Sequence, residues 1–292
     1  MCIRDRCHTG PFTHRPWRWP AQSSHVGEVD AAAPLTCSSL QLRRFEVPLS
    51  LCASLVNVLE HDLRQRLTAA GSLRPLGLAT GRTMEPVYAG LVQRLQGWSA
   101  TDRKRLSEVW SSFNLDEYVG LAAGDGHSYR AFMAVHLGQP LQLPDASLQL
   151  PDGEAMVPEV AAAAYGHAVR ASGGLGLQLL GLGTNGHVGF NEPPCGPDRS
   201  CHVVTLSPAT RRQNAGMFGG DPSVVPRQAI TLGLAEILAA REIHLVVTGR
   251  SKAPVLARLL AMQRPDPTLP ASWLLEHPRV QLWADAAALS LA

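Results

Sequence analysis

Lysine is almost absent from this 292-residue chain: Lys104 and Lys252 are the only two, and arginine supplies the other cations. Charged residues make up 17% of the chain and the formal net charge is +2. No basic block or aromatic-interleaved stripe occurs, which argues against a nucleic-acid partner. No apolar run approaches the ~20 residues of a membrane span, and the N-terminus lacks the apolar stretch of a secretory signal. A cytoplasmic location away from membranes is therefore expected. The six cysteines, Cys2, Cys7, Cys37, Cys52, Cys195 and Cys201, form no CxxC pair and no regular framework, as in a reduced protein. Cys2, Cys7, His8 and His14 gather near the N-terminus, but their spacing fits no common zinc pattern, and no metal is expected.

What the chain does have is apolar content, 45% of residues, enough for a sizeable core. Residues 1–42 carry scattered Arg, His, Pro and Trp without hydrophobic period and read as a disordered or non-native leader. From 43 to 292 apolar strands and amphipathic helices alternate, with no internal repeat or low-complexity linker. Val47 onward forms a helix stopped near Gly71; Arg74–Ala79 reads as a strand and Met84–Leu95 as a helix. Polar residues 99–107 precede a strand, Val109–Leu115. Ser128–Leu137 is helical, Pro140–Pro151 a loop-rich connection, and Pro158–Arg170 a helix. Strands follow at Leu175–Leu180, His202–Leu206, Ile243–Thr248 and Val280–Trp283, with helices at Pro208–Phe218, after Gly249 and at Pro270–Glu276. This alternation implies one domain, an α/β fold with a doubly wound, mostly parallel sheet and helices on both faces, Rossmann-like in outline.

The densest chemistry lies at residues 175–194, LGLQLLGLGTNGHVGFNEPP. A short apolar run bounded by glycines reads as a buried strand of a parallel sheet, and ligands bind beyond the carboxyl ends of such strands. His187 and Glu192, five residues apart just past that end, are placed for proton transfer. Gly181-Leu-Gly183-Thr-Asn-Gly186 also satisfies the dinucleotide pattern G-x-G-x-x-G. That pattern needs a helix opening at its last glycine and an acid at the end of the next strand. Here Pro193-Pro194 follow, and the next strand ends in Ser207, so no dinucleotide is expected.

Three further features sit at strand ends. Thr80-Gly81-Arg82-Thr83 joins a strand to a helix and offers N–H groups and hydroxyls to an anion, though the P-loop spacing is absent. Gly249-Arg250-Ser251-Lys252 is a second such turn, with an ammonium beside it. Asp116-Glu117 places two carboxylates side by side, which cannot both enter a core cheaply. Asp116 is read either as a cap for the next helix or as a general base at the sheet edge that carries His187.

Together these stretches resemble the glucosamine-6-phosphate deaminase family. The resemblance is carried by Phe113-Asn-Leu-Asp-Glu-Tyr-Val-Gly-Leu121, by Gly181-Leu-Gly-Thr-Asn-Gly-His-Val-Gly-Phe-Asn-Glu-Pro193 and by the turn Leu78-Ala-Thr-Gly-Arg-Thr83. Ser128-Tyr129 and Ala229-Ile-Thr-Leu-Gly233 add to it, and it spans residues 43–292. It implies the sugar-phosphate isomerase type of α/β fold and a cytoplasmic enzyme without metal or cofactor. The reaction implied converts glucosamine 6-phosphate and water into fructose 6-phosphate and ammonia. His187 would open the pyranose, Asp116 would carry the proton between C2 and C1, and Glu192 would hold and polarise His187. Asn185 stands where some members have an aspartate supporting the histidine. Thr80, Gly81, Arg82, Thr83 and Lys252 would bind the phosphate.

Gly216 departs from the pattern, since many such deaminases have a phosphate-binding arginine there. Arg82, which replaces a glycine usual in the phosphate turn, or Arg212 is expected to supply the charge. Cys201-His202 and Leu269–His277 also resemble galactosamine-6-phosphate deaminase/isomerase, and the epimer stays open. A related 6-phosphogluconolactonase lacks the continuation Phe190-Asn-Glu-Pro193, and a non-catalytic sugar-phosphate sensor would not need Asp116, His187 and Glu192 together. Allosteric members use basic residues in the strand after the active turn. His202-Val-Val-Thr205 has none of that kind, so no activation by the N-acetylated sugar phosphate is expected. Whether the chain forms a homo-oligomer is not legible.

Overall fold

The structure, a computed structural model, describes residues 40–69 and 73–292. The expected leader, its cysteines and the helix stop at Gly71 otherwise lie outside these residues. Seven strands form one parallel sheet: β1 (Leu40–Phe45), β2 (Leu76–Leu78), β3 (Ser112–Asn114), β5 (Leu148–Gln149), β6 (Leu177–Gly181), β9 (Glu242–Val247) and β10 (Val280–Asp285). Their spatial order is β1-β10-β9-β6-β2-β3-β5. The chain steps outward from β2 through β3 to β5, returns to β6 on the other side of β2, and steps outward through β9 to β10. Right-handed crossovers in those two directions place helices on opposite faces, the doubly wound arrangement. The reversal between β2 and β6 opens a crevice at their carboxyl ends.

The helices are α1 (Pro48–Thr68), α2 (Glu85–Gln96), α3 (Ala100–Val109), α4 (Tyr129–Met133), α5 (Gln139–Leu141), α6 (Pro158–Ala171), α7 (Pro208–Asn214), α8 (Leu234–Leu238) and α9 (Ala253–Leu260). Helix α1 buries Leu51, Leu55, Leu59 and Leu63, one side of a 3.6-residue period. At the first edge pair Arg43 lies over the fully buried Trp283, which stacks on Phe45 with centroids 5.7 Å apart. Burying a ring of that size contributes about 2–3 kcal/mol.

Four elements differ from the sequence reading. Residues 100–109 are a helix, α3, started by Ser99, whose side chain accepts from the Asp102 N–H at 3.0 Å. Only Leu106 of that helix is buried, so no apolar face announces it. Strand β1 begins at Leu40, inside the stretch assigned to the leader, and pairs along its length with β10. The connection Pro140–Pro151 contains the edge strand β5. A separate three-stranded antiparallel sheet, β4 (Asp116–Tyr118), β8 (Gln228–Thr231) and β7 (His202–Thr205), in the order β4-β8-β7, crosses the carboxyl end of the main sheet. Its β4 is the carboxylate pair, and it follows β3 after the single residue Leu115. No described helix is long and apolar enough to cross a membrane.

Candidate active site

A cleft of about 880 Å³ opens at the β2/β6 reversal. The turn after β2 supplies Thr80–Thr83, the start of β4 supplies Asp116, the turn after β6 supplies His187, and the turn after β9 supplies Lys252. Segments read separately along the sequence thus meet at one sheet edge, because parallel strands present all their carboxyl ends to the same side.

The adjacent carboxylates divide their tasks. Glu117 turns inward and accepts the N–H groups of Tyr118, Tyr129 and Arg130, each at 2.9 Å. It therefore serves the start of α4, the task that the cap reading gave to Asp116. Asp116 faces the cleft and is 5% exposed. Burial first, and then the charge of Glu117, pushes its carboxyl well above the usual range.

His187 is 6% exposed, and its ring lies directly on the α-carbon of Gly183. A β-carbon there would collide with Cε1, Nε2 and Cδ2 of the imidazole. Burial pushes the imidazole well below its ordinary pKa; the charge of Glu192 opposes this and that of Lys252 adds to it. The ring is neutral at pH 7. Thr210 of α7 brings its hydroxyl to 3.4 Å from Nδ1.

Glu192 makes no hydrogen bond to His187 among the described residues, which corrects the expectation that it holds the ring directly. One carboxylate oxygen accepts from the Asn185 amide at 2.7 Å and the other from the Ser207 N–H at 3.0 Å. Asn185 in turn accepts the main-chain N–H of His187 at 3.2 Å. Glu192 thus acts on the imidazole through its charge and through the turn, and neither it nor Asn185 lines the cleft.

The opposite side of the cleft is cationic. Lys252 is held by one neutral acceptor, Oε1 of Gln213, at 3.2 Å. Burial and then the nearby Arg82 charge bring its pKa down to about 8. Arg82 crosses to Gly216, where a β-carbon would lie 3.3 Å from the guanidinium Nη2. No ion pair joins either cation to a carboxylate among the described residues. Arg212 also lines the cleft. Gly81, at φ 105°, supplies the left-handed step of the Thr80–Thr83 turn.

Tyr129, Gln213 and Asn214 line the same cleft and were not singled out as site residues. The Tyr129 and Asn214 side chains both bond the Tyr118 hydroxyl, at 3.3 and 3.0 Å. The string Ser128-Tyr129 is a signal for the first, and Arg212, weighed as a phosphate ligand, lies on the same helix as the other two. No cluster of three or more His, Cys, Asp or Glu side chains suited to a metal occurs among the described residues.

Comparison with known proteins identifies the family. The sequence profile of the glucosamine-6-phosphate isomerases/6-phosphogluconolactonase family matches residues 47–283. The glucosamine-6-phosphate deaminase of Geobacillus sp. (strain WCH70) is 42% identical over 218 residues, 74% of this chain and 83% of that protein. Glucosamine-6-phosphate deaminase 2 of Bacillus subtilis (strain 168) is 37% identical over 212 residues, 72% and 82% of the two chains. Among solved structures, a monomeric glucosamine-6-phosphate deaminase superposes with a TM-score of 0.77 at 30% identity, covering 86% of this chain and all of that one. The 6-phosphogluconolactonase of Trypanosoma cruzi gives 0.68 at 17% identity, covering 87% and 97%, a likeness of fold alone. With a profile match over most of the chain and relatives near 40% identity, this protein belongs to the glucosamine-6-phosphate isomerase/6-phosphogluconolactonase family.

Proposed function

We propose that the chain is a glucosamine-6-phosphate deaminase, converting glucosamine 6-phosphate and water into fructose 6-phosphate and ammonia in the cytoplasm. The observation that carries this reading is the pairing, across one cleft, of a buried carboxylate and a neutral imidazole with two cations that lack carboxylate partners. A dianionic phosphate satisfies Arg82 and Lys252, while the Thr80–Thr83 turn adds main-chain N–H groups and hydroxyls. That anchors the sugar with its reacting carbons toward Asp116 and His187.

His187, being neutral, donates a proton to the ring oxygen and receives one from the C1 hydroxyl, which opens the pyranose. Asp116 then takes the C2 proton and returns it at C1, giving the ketose imine through an enolamine. Its raised pKa makes it a stronger base than an exposed aspartate. Water adds at C2 and ammonia leaves, so the products balance the substrates. Glu192 and Asn185 fix the turn that carries the imidazole. Arg82, seated on the bare α-carbon of Gly216, supplies the guanidinium that a side chain at 216 would otherwise bring to that place.

The test is ammonia release from glucosamine 6-phosphate and from galactosamine 6-phosphate, side by side. Turnover of the first, reduced at least ~100-fold in Asp116→Asn, supports the reading. Preference for the C4 epimer keeps the mechanism and changes the substrate, since one hydroxyl contact separates the two. Binding of either sugar without ammonia release defeats the enzyme reading.

A further inference from the structure

The Gln213 carboxamide oxygen accepts two hydrogen bonds inside the cleft, from the Thr184 main-chain N–H at 2.9 Å and from the Lys252 ammonium at 3.2 Å. The three groups come from different segments: Thr184 from the turn after β6, Lys252 from the turn after β9, and Gln213 from α7. All three line the cleft. An ammonium and a main-chain N–H converging on one oxygen form the donor set that binds an oxyanion. A neutral amide fills it here, although a second cation, Arg82, is close enough to act on Lys252.

We propose that Gln213 is an affinity-setting residue whose side-chain oxygen occupies the place of a substrate phosphate oxygen, so that it competes with the phosphate for Lys252 and Thr184. This rests on the assignment of Lys252 to the phosphate. An amide oxygen carries a partial charge and a phosphate oxygen close to a full one, so the phosphate displaces it. The affinity observed is the phosphate's own, reduced by the two bonds that must first be broken. The contact keeps the ammonium in position while the site is empty. Its cost falls on every phosphate ligand and on none that leaves Lys252 alone.

The proposal predicts tighter binding on removal of a contact. In Gln213→Ala the dissociation constant for inorganic phosphate, read by calorimetry, and the KM for glucosamine 6-phosphate should both fall about three- to tenfold, the worth of a net hydrogen bond or so. Ammonia release at saturation should stay within about twofold, since the proton-transfer groups are untouched. In Gln213→Glu a true ion pair with Lys252 should raise both constants tenfold or more. Weaker or unchanged phosphate binding in Gln213→Ala overturns the proposal, the former because it would make the amide a ligand of the phosphate. Lys252→Ala separates the two levels. If that variant still binds phosphate as the parent does, the assignment of the anion site fails. If it binds weakly and Gln213→Ala does not bind more tightly, only the role of Gln213 fails. Unchanged thermal midpoints in the parent and both Gln213 variants identify the shifts as local.

Discussion

The turn after β6 and the rim formed by Arg82 and Lys252 face each other across one cleft and are built on opposite plans. The turn is over-determined. Asn185 holds the His187 main chain, Glu192 holds Asn185 and Ser207, and Gly183 gives the imidazole a flat seat. The rim is under-determined. Lys252 has one neutral acceptor and Arg82 rests on a glycine. A group that moves protons must hold its geometry within tenths of an ångström before the substrate arrives. A group that binds a dianion gains by leaving its charge uncompensated until then, because every pre-existing partner must be displaced.

Gly183→Ala tests the first plan and should give the largest effect. The added methyl occupies the position of the imidazole, so the ring must swing away from the cleft. Its φ is not in the left-handed region, so the backbone accepts alanine and the damage is confined to His187. We expect kcat to fall at least ~100-fold, the scale of a misplaced acid–base group. KM for the sugar phosphate should move little, because the rim is intact. Equal losses in kcat and phosphate affinity would show that turn and rim are mechanically coupled and would dissolve the contrast.

How much of this was legible in the sequence follows the same division. Asp116, His187, Arg82 and Lys252 could be found because each sits just past an apolar strand, and parallel topology brings such ends together. Glu192 was expected to hold and polarise His187, and the structure links the two through Asn185 and through charge rather than by a direct hydrogen bond. Its partners are an amide seven residues upstream and a main-chain N–H fifteen residues downstream, and nothing in the local pattern says which neighbour a carboxylate will choose. Thr210 and Gln213 were passed over although Arg212 of the same helix was weighed, because which side chains a short polar helix turns toward a cleft is decided by tertiary packing. The same limit hid α3, whose ten residues bury only Leu106, and the pairing of the small antiparallel sheet, of which β7 was read as a strand while β4 and β8 are too short for alternation to register. Where chemistry coincides with backbone punctuation it can be read; where it depends on long-range packing it cannot.

Arg82→Ala tests the second plan. Removing one of two cations should raise KM for glucosamine 6-phosphate about tenfold or more, since charge-assisted hydrogen bonds contribute ~1.5–3 kcal/mol each. At saturation, kcat should change less than threefold. The contact with Gly216 sharpens the test. In Arg82→Gly combined with Gly216→Arg, a guanidinium reaches the same place from the opposite lip, and KM should return most of the way to the parent value. No recovery would mean that the Arg82 backbone turn, rather than its charge, is what the phosphate needs.

The smallest effect is the most diagnostic of the rim, because it reads the charge rather than the contact. Burial and Arg82 hold the Lys252 ammonium at a pKa of about 8, so it loses its proton within the range in which the protein can be handled. If Lys252 is the phosphate ligand proposed above, the protonated form binds and bound phosphate in turn favours protonation. Affinity should therefore be level between about pH 7 and 8, where the phosphate is a dianion and the lysine still protonated, and fall as pH rises further, by at most tenfold per unit. Fructose 6-phosphate is the suitable probe, since it has no amine and its phosphate is a dianion well above its second pKa of ~6. Removing Arg82 takes away the neighbouring positive charge that depresses Lys252. In Arg82→Ala the falling limb should begin at higher pH even though binding is weaker at every pH below it. A limb that stays at pH 8 in that variant would mean that burial alone sets the lysine, and that the two cations bind the phosphate independently rather than as one uncompensated pair.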